Sequence, residues 1–130
     1  MQEIKFRGKR IDNGEWVYGD LLTKRNMLSN ETAIIYFDGY IIPRSPTVNK
    51  KTVGQYIQTV NDIDIYVGDI VKAYKYGDKS TEPVINEITY RNGTYMFSNW
   101  TWIEFLKVFR YVEVVGNIHD NPELVRHIND

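Results

Sequence analysis

The chain of 130 residues has no cysteine, two histidines and four prolines. Without cysteine there is no disulfide, no thiol nucleophile and no thiolate zinc site. The fold must rest on its own core, and a chain near this size buries roughly two-thirds of the surface it exposes unfolded. No apolar run approaches the roughly 20 residues of a membrane-spanning helix, and residues 1–10 lack the apolar centre of a signal peptide. The expectation is a cytoplasmic protein with no membrane contact. Catalytic signatures are missing as well. There is no Gly-x-Ser-x-Gly elbow, no Gly-x-x-x-x-Gly-Lys-Ser/Thr phosphate loop and no His-Glu-x-x-His helix. No catalytic residue and no cofactor are assigned, and the expectation is not an enzyme.

Two small groups of ligand-type residues remain. His119-Asp120 could form an oriented base or half a metal site, because imidazole titrates near neutral pH. With His127 as the only other histidine, a surface turn is the better reading. Asp62, Asp64 and Asp69 are the densest carboxylates, but Tyr66 and Val67 stand where a calcium loop needs an oxygen donor and a glycine. Nothing places Glu104 beside Glu113. No metal site is assigned.

What is present is charge, divided unevenly, and aromatic side chains. Residues 1–60 carry nine Lys/Arg against six Asp/Glu, and residues 61–130 carry seven against eleven. The first half is thus more attractive to a polyanion. Ten tyrosines and three tryptophans favour pleated, half-buried surfaces, with base or sugar stacking as the functional alternative.

Residues 2–11 alternate, with Ile4, Phe6 and Gly8 on one side and Glu3, Lys5, Arg7 and Lys9 on the other, which predicts a half-buried strand. Asn13-Gly14 then predicts a hairpin returning through residues 15–22, whose Trp16/Tyr18 and Val17/Leu21 leave both faces partly covered. Residues 23–31 read as a loop with Lys24-Arg25-Asn26 at its tip. A second hairpin is expected from residues 32–37, Asp38-Gly39 and Tyr40-Ile41-Ile42, ended by Pro43 and Pro46. Residues 52–57 form a short strand. Residues 61–67 make an extended approach to a Gly68-Asp69 turn, and a strand over 70–76 follows.

Residues 84–90 and 95–97 flank an Asn92-Gly93 turn. Thr101-x-x-Glu104 predicts a capped short helix through Leu106, and residues 111–118 return to strand. Asn121 before Pro122 predicts a terminal helix over 122–128. Many short strands between turns point to a mainly β chain folded as a small barrel or roll, with N-terminal hairpins and one or two short C-terminal helices.

Lys5, Arg7 and Lys9, with Arg10 beside them and Trp16 or Tyr18 nearby, are the candidate nucleic-acid contacts. The competing reading is that these charges guard an exposed strand against aggregation. Gly14, Gly68, Asp69 and Gly116 are assigned to structural turns.

Ile4-Lys5-Phe6-Arg7-Gly8-Lys9-Arg10 and Gly14-Glu15-Trp16-Val17-Tyr18-Gly19-Asp20-Leu21 resemble the opening of YopX-type proteins. The same is true of Thr52-Val53-Gly54-Gln55-Tyr56, Ile65-Tyr66-Val67-Gly68-Asp69-Ile70-Val71-Lys72 and Val114-Val115-Gly116-Asn117-Ile118-His119-Asp120-Asn121-Pro122-Glu123-Leu124. Val67 departs from the acidic residue usual before that glycine, and the turn at residues 61–64 is shorter than usual. The resemblance implies a phage or prophage protein with an SH3-like barrel and no established activity. On this reading residues 1–130 form one YopX-like domain, divisible into a β subdomain over 1–60 and a barrel over 61–120. The expected role is a non-enzymatic module binding a phage or host protein, with self-association as a further option. The alternative is a nucleic-acid-binding β-barrel using the basic N-terminal strand.

Overall fold

A computed structural model describes residues 3–25, 30–39 and 42–126. The chain divides into two compact units, Met1–Tyr56 and Ile57–Asp130. Both are built from antiparallel sheet. The chain is mainly β.

In the first unit β1 (Phe6–Lys9), β2 (Trp16–Arg25) and β3 (Asn30–Ile35) lead to a single 3-10 turn at Lys50–Thr52 and then β4 (Gly54–Val60). The order is β3-β2-β1-β4. The first hairpin forms as expected, with Lys9 opposite Trp16 and Arg7 opposite Tyr18. The expected loop over residues 23–31 is mostly strand instead. Arg25 still pairs with Asn30, because polar Thr23 and Lys24 sit comfortably across from Thr32 and Glu31 on a solvated ladder. Asn26, at the predicted tip, lies outside the described residues, as do Tyr40 and Ile41 of the second predicted hairpin.

The return to β3 is made further on, through the proline segment. Tyr36 and Arg44 exchange backbone hydrogen bonds of 2.9 and 2.8 Å, and Ile34 donates to the Pro46 carbonyl at 3.2 Å. Proline cannot donate but it can accept, so this segment adds isolated bridges where a full strand would fail.

β4 runs on into the second unit, where Asn61 and Asp62 turn it back as β5 (Ile63–Tyr66). Their φ angles are +52° and +63°, the left-handed pair that a two-residue hairpin requires. Asparagine and aspartate tolerate that region better than other side chains with a Cβ. Thr59 then donates to Asp64 at 2.6 Å across the hairpin. The expected extended approach thus opens on a tight turn at residues 61–62 and is extended over β5.

The remaining strands are β6 (Asp69–Lys75), β7 (Val84–Arg91), β8 (Thr94–Phe97), β9 (Trp100–Thr101) and β10 (Phe109–Asn117). Their order is β10-β6-β7-β8-β9, an open sheet, so of the expected barrel or roll the closed barrel does not form. Closure fails for a local reason. β9 has two residues, and Thr101 ends it by capping α1 (Trp102–Val108).

The predicted capping box is present: Thr101 Oγ1 accepts from the Glu104 amide at 3.3 Å, and Glu104 accepts from the Thr101 amide at 3.0 Å. The second bond holds the Glu104 carboxyl below its ordinary range. Phe105 projects from α1 into a buried cluster with Phe97 and Phe109, at centroid separations of 5.0 and 5.3 Å. Ile57, Ile65, Val71, Ala73, Ile88 and Val112 complete that core. The terminal helix, predicted over residues 122–128, is α2 (Glu123–Arg126).

Candidate functional site

The structure does not display Lys5, Arg7 and Lys9 as an open basic face. β1 lies between β2 and β4, so it is no edge, and Arg7 is only 7% exposed. The pairing explains why. Residues 7 and 9 stand opposite Tyr18 and Trp16, and both charges are drawn over the Trp16 ring. The Arg7 guanidinium lies 4.9 Å and the Lys9 ammonium 5.9 Å from the Trp16 centroid. Lys5 sits 4.5 Å over Tyr56 and 3.8 Å from Glu3. Arg10 grips both oxygens of Asp12, at 2.9 and 2.7 Å, which keeps that carboxyl below its usual range. Of the five predicted contacts, Arg7 and Lys9 meet on Trp16, while Lys5 lies over Tyr56 and Arg10 is held by Asp12.

Beside this layer is a shallow groove of about 320 Å³, lined by Arg10, Glu15, Trp16, Val17, Tyr18 and Tyr36. Its walls combine three aromatic rings with charges of both signs. Tyr18 is about half exposed. Nothing in the sequence marks Glu15 and Tyr36 for the groove, because Tyr36 lies one residue past β3 and is set by its bridge to Arg44.

The assigned turn residues divide. Gly14 takes φ +72° in the first hairpin loop. Gly68 takes φ +97°, donates to the Ile88 carbonyl at 2.9 Å and accepts from the Ile118 amide at 2.8 Å. Asp69 is buried and accepts from the Tyr66 amide at 2.8 Å, which closes the same turn. Gly116 is different. It lies within β10 beside a register shift, where a Cβ would come 2.5 Å from Asn121 Oδ1. Its role is close approach, not turning. That oxygen accepts from the Asn117 amide at 3.2 Å, so the predicted side-chain cap on α2 is directed elsewhere.

The Asp64 carboxylate accepts from Thr59 Oγ1 and that of Asp69 from the Tyr66 amide, so the two serve separate side-chain and backbone partners. Among the described residues no group of three or more His, Cys, Asp or Glu is arranged to hold a metal ion. His119 is exposed, and its amide donates to Asn117 Oδ1 at 3.0 Å. His127 lies outside the described residues.

The second unit has a polar groove of about 330 Å³, lined by Asn86, Glu87, Thr89, Arg91, Ser98 and Asn99. Glu87, Thr89 and Arg91 occupy alternate positions of β7, on the face opposite buried Ile88. Ser98 and Asn99 form the turn joining β8 to β9, with Ser98 at φ +53°. Burial pushes the Glu87 carboxyl above its ordinary range. The folded chain therefore holds that proton more tightly than the unfolded chain. Stability from this group is complete below the unfolded glutamate pKa and falls as pH rises through the folded one. Glu87→Gln should raise Tm at about pH 7 and leave it nearly unchanged near pH 3, as read by scanning calorimetry. An equal gain at both pH values would contradict this account.

These features define a mainly β protein of two open antiparallel sheets, with an aromatic groove on one unit and a polar groove on the other. The family model described as YopX protein matches residues 5–126, and the chain belongs to that family. Among solved structures it is similar to protein EF1440 from Enterococcus faecalis, with a TM-score of 0.56 and 20% sequence identity. That alignment covers 97% of this chain and 100% of the other, and at this identity it speaks to the fold alone. No curated protein matches the chain. No helix among the described residues is long and apolar enough to cross a membrane.

Proposed function

We propose that this protein is a non-enzymatic binding module that engages a partner protein. The observation that carries the reading is the groove of Trp16, Tyr18 and Tyr36 flanked by Arg10 and Glu15. Aromatic rings and arginine are the residues that concentrate binding energy in protein interfaces. Mixed charge suits a polypeptide better than a polyanion. A phosphate would also have to compete with Asp12 for Arg10, and Arg7 is too buried to reach one.

The second unit supports the same class of role. β6 to β9 form a meander, α1 follows, and β10 returns to pair with β6, an order we read as an SH3-like roll. The family resemblance supports a phage or prophage origin and work in the cytoplasm of a bacterial host.

The test is a photo-crosslinking residue at position 18 of the full chain, used in induced host cells. A single protein should be trapped, and Trp16→Ala should weaken its binding by about 2 kcal/mol, or roughly thirtyfold, while the melting transition stays cooperative. A second copy of the chain as the trapped protein would make the module a self-associating one. Absence of any adduct, or an adduct indifferent to Trp16→Ala, would reject the reading. Oligonucleotide binding that falls steeply with salt would favour the nucleic-acid alternative.

A further inference from the structure

We infer that the groove around Glu87 receives a cationic side chain, an arginine above all, from a partner protein. The inference rests on the binding-module reading and names the chemistry that a second surface would recognise. Glu87 stands on β7 opposite Ile70, which is fully buried, and its half-buried side chain lines the polar groove. Among the described residues nothing donates to that carboxylate. The Asn86 side-chain oxygen accepts from the Glu87 amide at 2.7 Å. Arg91, the one cation in the lining, is turned to the Ser98 carbonyl at 2.6 Å. A half-buried carboxylate in this position destabilises the chain when ionised. A chain that keeps one there gains nothing in folding from it.

The lining decides what fits. Beyond the two carboxylate oxygens it offers hydroxyls from Thr89 and Ser98 and an amide from Asn99. Each of these groups can accept as well as donate, so together with the carboxylate they can serve a donor-rich guest. A guanidinium brings five donors in a flat fork and can take the carboxylate through two parallel bonds. A hard metal ion would want more than one carboxylate. A sugar would want an aromatic ring to stack on, and none lines the groove. At about 330 Å³ the groove sits at the small end of the roughly 300–1,000 Å³ spanned by ligand pockets, which suits one side chain. Charge points the same way. Residues 57–130 hold seven Lys/Arg against eleven Asp/Glu, so this unit draws a basic partner over distance before the groove is reached.

The test titrates the full isotope-labelled chain with N-acetyl-arginine methylamide, using the citrulline analogue as a neutral match in shape. Arginine should shift the amide resonances of residues 86–91 and 98–99, and citrulline should not. Glu87→Gln should weaken the arginine effect roughly tenfold or more while melting at or above the parent temperature. A carboxylate with a purely structural role would not lose binding while gaining stability. Should Gln disturb the groove, Glu87→Ala gives the same comparison. Equal response to both ligands, shifts elsewhere only, or indifference to both substitutions would overturn the inference.

Failure here is separable from failure of the module reading. If a protein is trapped at position 18 but arginine ignores the Glu87 groove, the module stands and the cationic contact falls. If arginine binds the groove and nothing is trapped at position 18, the groove's preference holds and its assignment to a partner protein falls.

Discussion

Phe105→Ala should lower the stability of the second unit by about 3–5 kcal/mol, a large share of a domain's usual margin. Phe105 is fully buried and meets Phe97 and Phe109 at 5.0 and 5.3 Å, and Trp102 stacks on it at 4.9 Å. Truncation leaves a hole among rings that are themselves held by β8 and β10, so the walls have little freedom to collapse. The helix is affected as well as the core. α1 has seven residues, well short of the roughly 12–15 at which an isolated helix becomes marginal. Its capping box fixes where it begins, but Phe105 is its only buried residue and so its anchor.

Denaturant melts followed by tryptophan fluorescence should show this directly, since Trp100 and Trp102 border the cluster. Phe105→Leu keeps most of the apolar volume and should lose far less. A Phe105→Ala midpoint within about 1 kcal/mol of the parent would show that the cluster repacks freely, contrary to the account given.

The features readable in advance were those whose cause is local. Asn92-Gly93 forms a two-residue turn, with φ of +52° and +80°, because those residue types accept that backbone without help. Thr101 and Glu104 cap each other for the same kind of reason. The misread features depend on what lies across the sheet. Arg7 belongs to an alternating polar face in the chain, yet β2 and β4 on either side turn that face into a covered one. Trp16 then takes the charges of Arg7 and Lys9.

Asn61 and Asp62 carry no glycine, so their hairpin becomes visible only once β4 and β5 are seen as neighbours. Glu87 looks like any solvated strand residue until Ile70 and the Ser98-Asn99 turn are set beside it. The two grooves are assembled by register between strands distant in the chain. Periodicity finds the strands but not their partners.

Asp69→Ala should cost about 1–3 kcal/mol, the second large effect. Asp69 is 2% exposed, and its Oδ2 takes the Tyr66 amide at 2.8 Å across the turn containing Gly68. The effect comes less from the bond lost than from the group left behind. Tyr66 is itself 5% exposed, so its amide has little access to water once the carboxylate is gone, and an unsatisfied buried donor carries its full desolvation penalty. The position magnifies the loss. Gly68 joins this turn to Ile88 and Ile118 through its own amide and carbonyl, so loosening the turn disturbs the start of β6 and the segment after β10 together.

Asp69→Asn keeps one acceptor oxygen and should fall between the parent and the alanine variant. At this chain length each kcal/mol corresponds to roughly 4 °C in Tm, well within calorimetric resolution. An alanine variant that melts with the parent would mean that the Tyr66 amide finds another partner. A variant that melts lower but keeps its trapped partner and its response to arginine would place Asp69 wholly in the architecture.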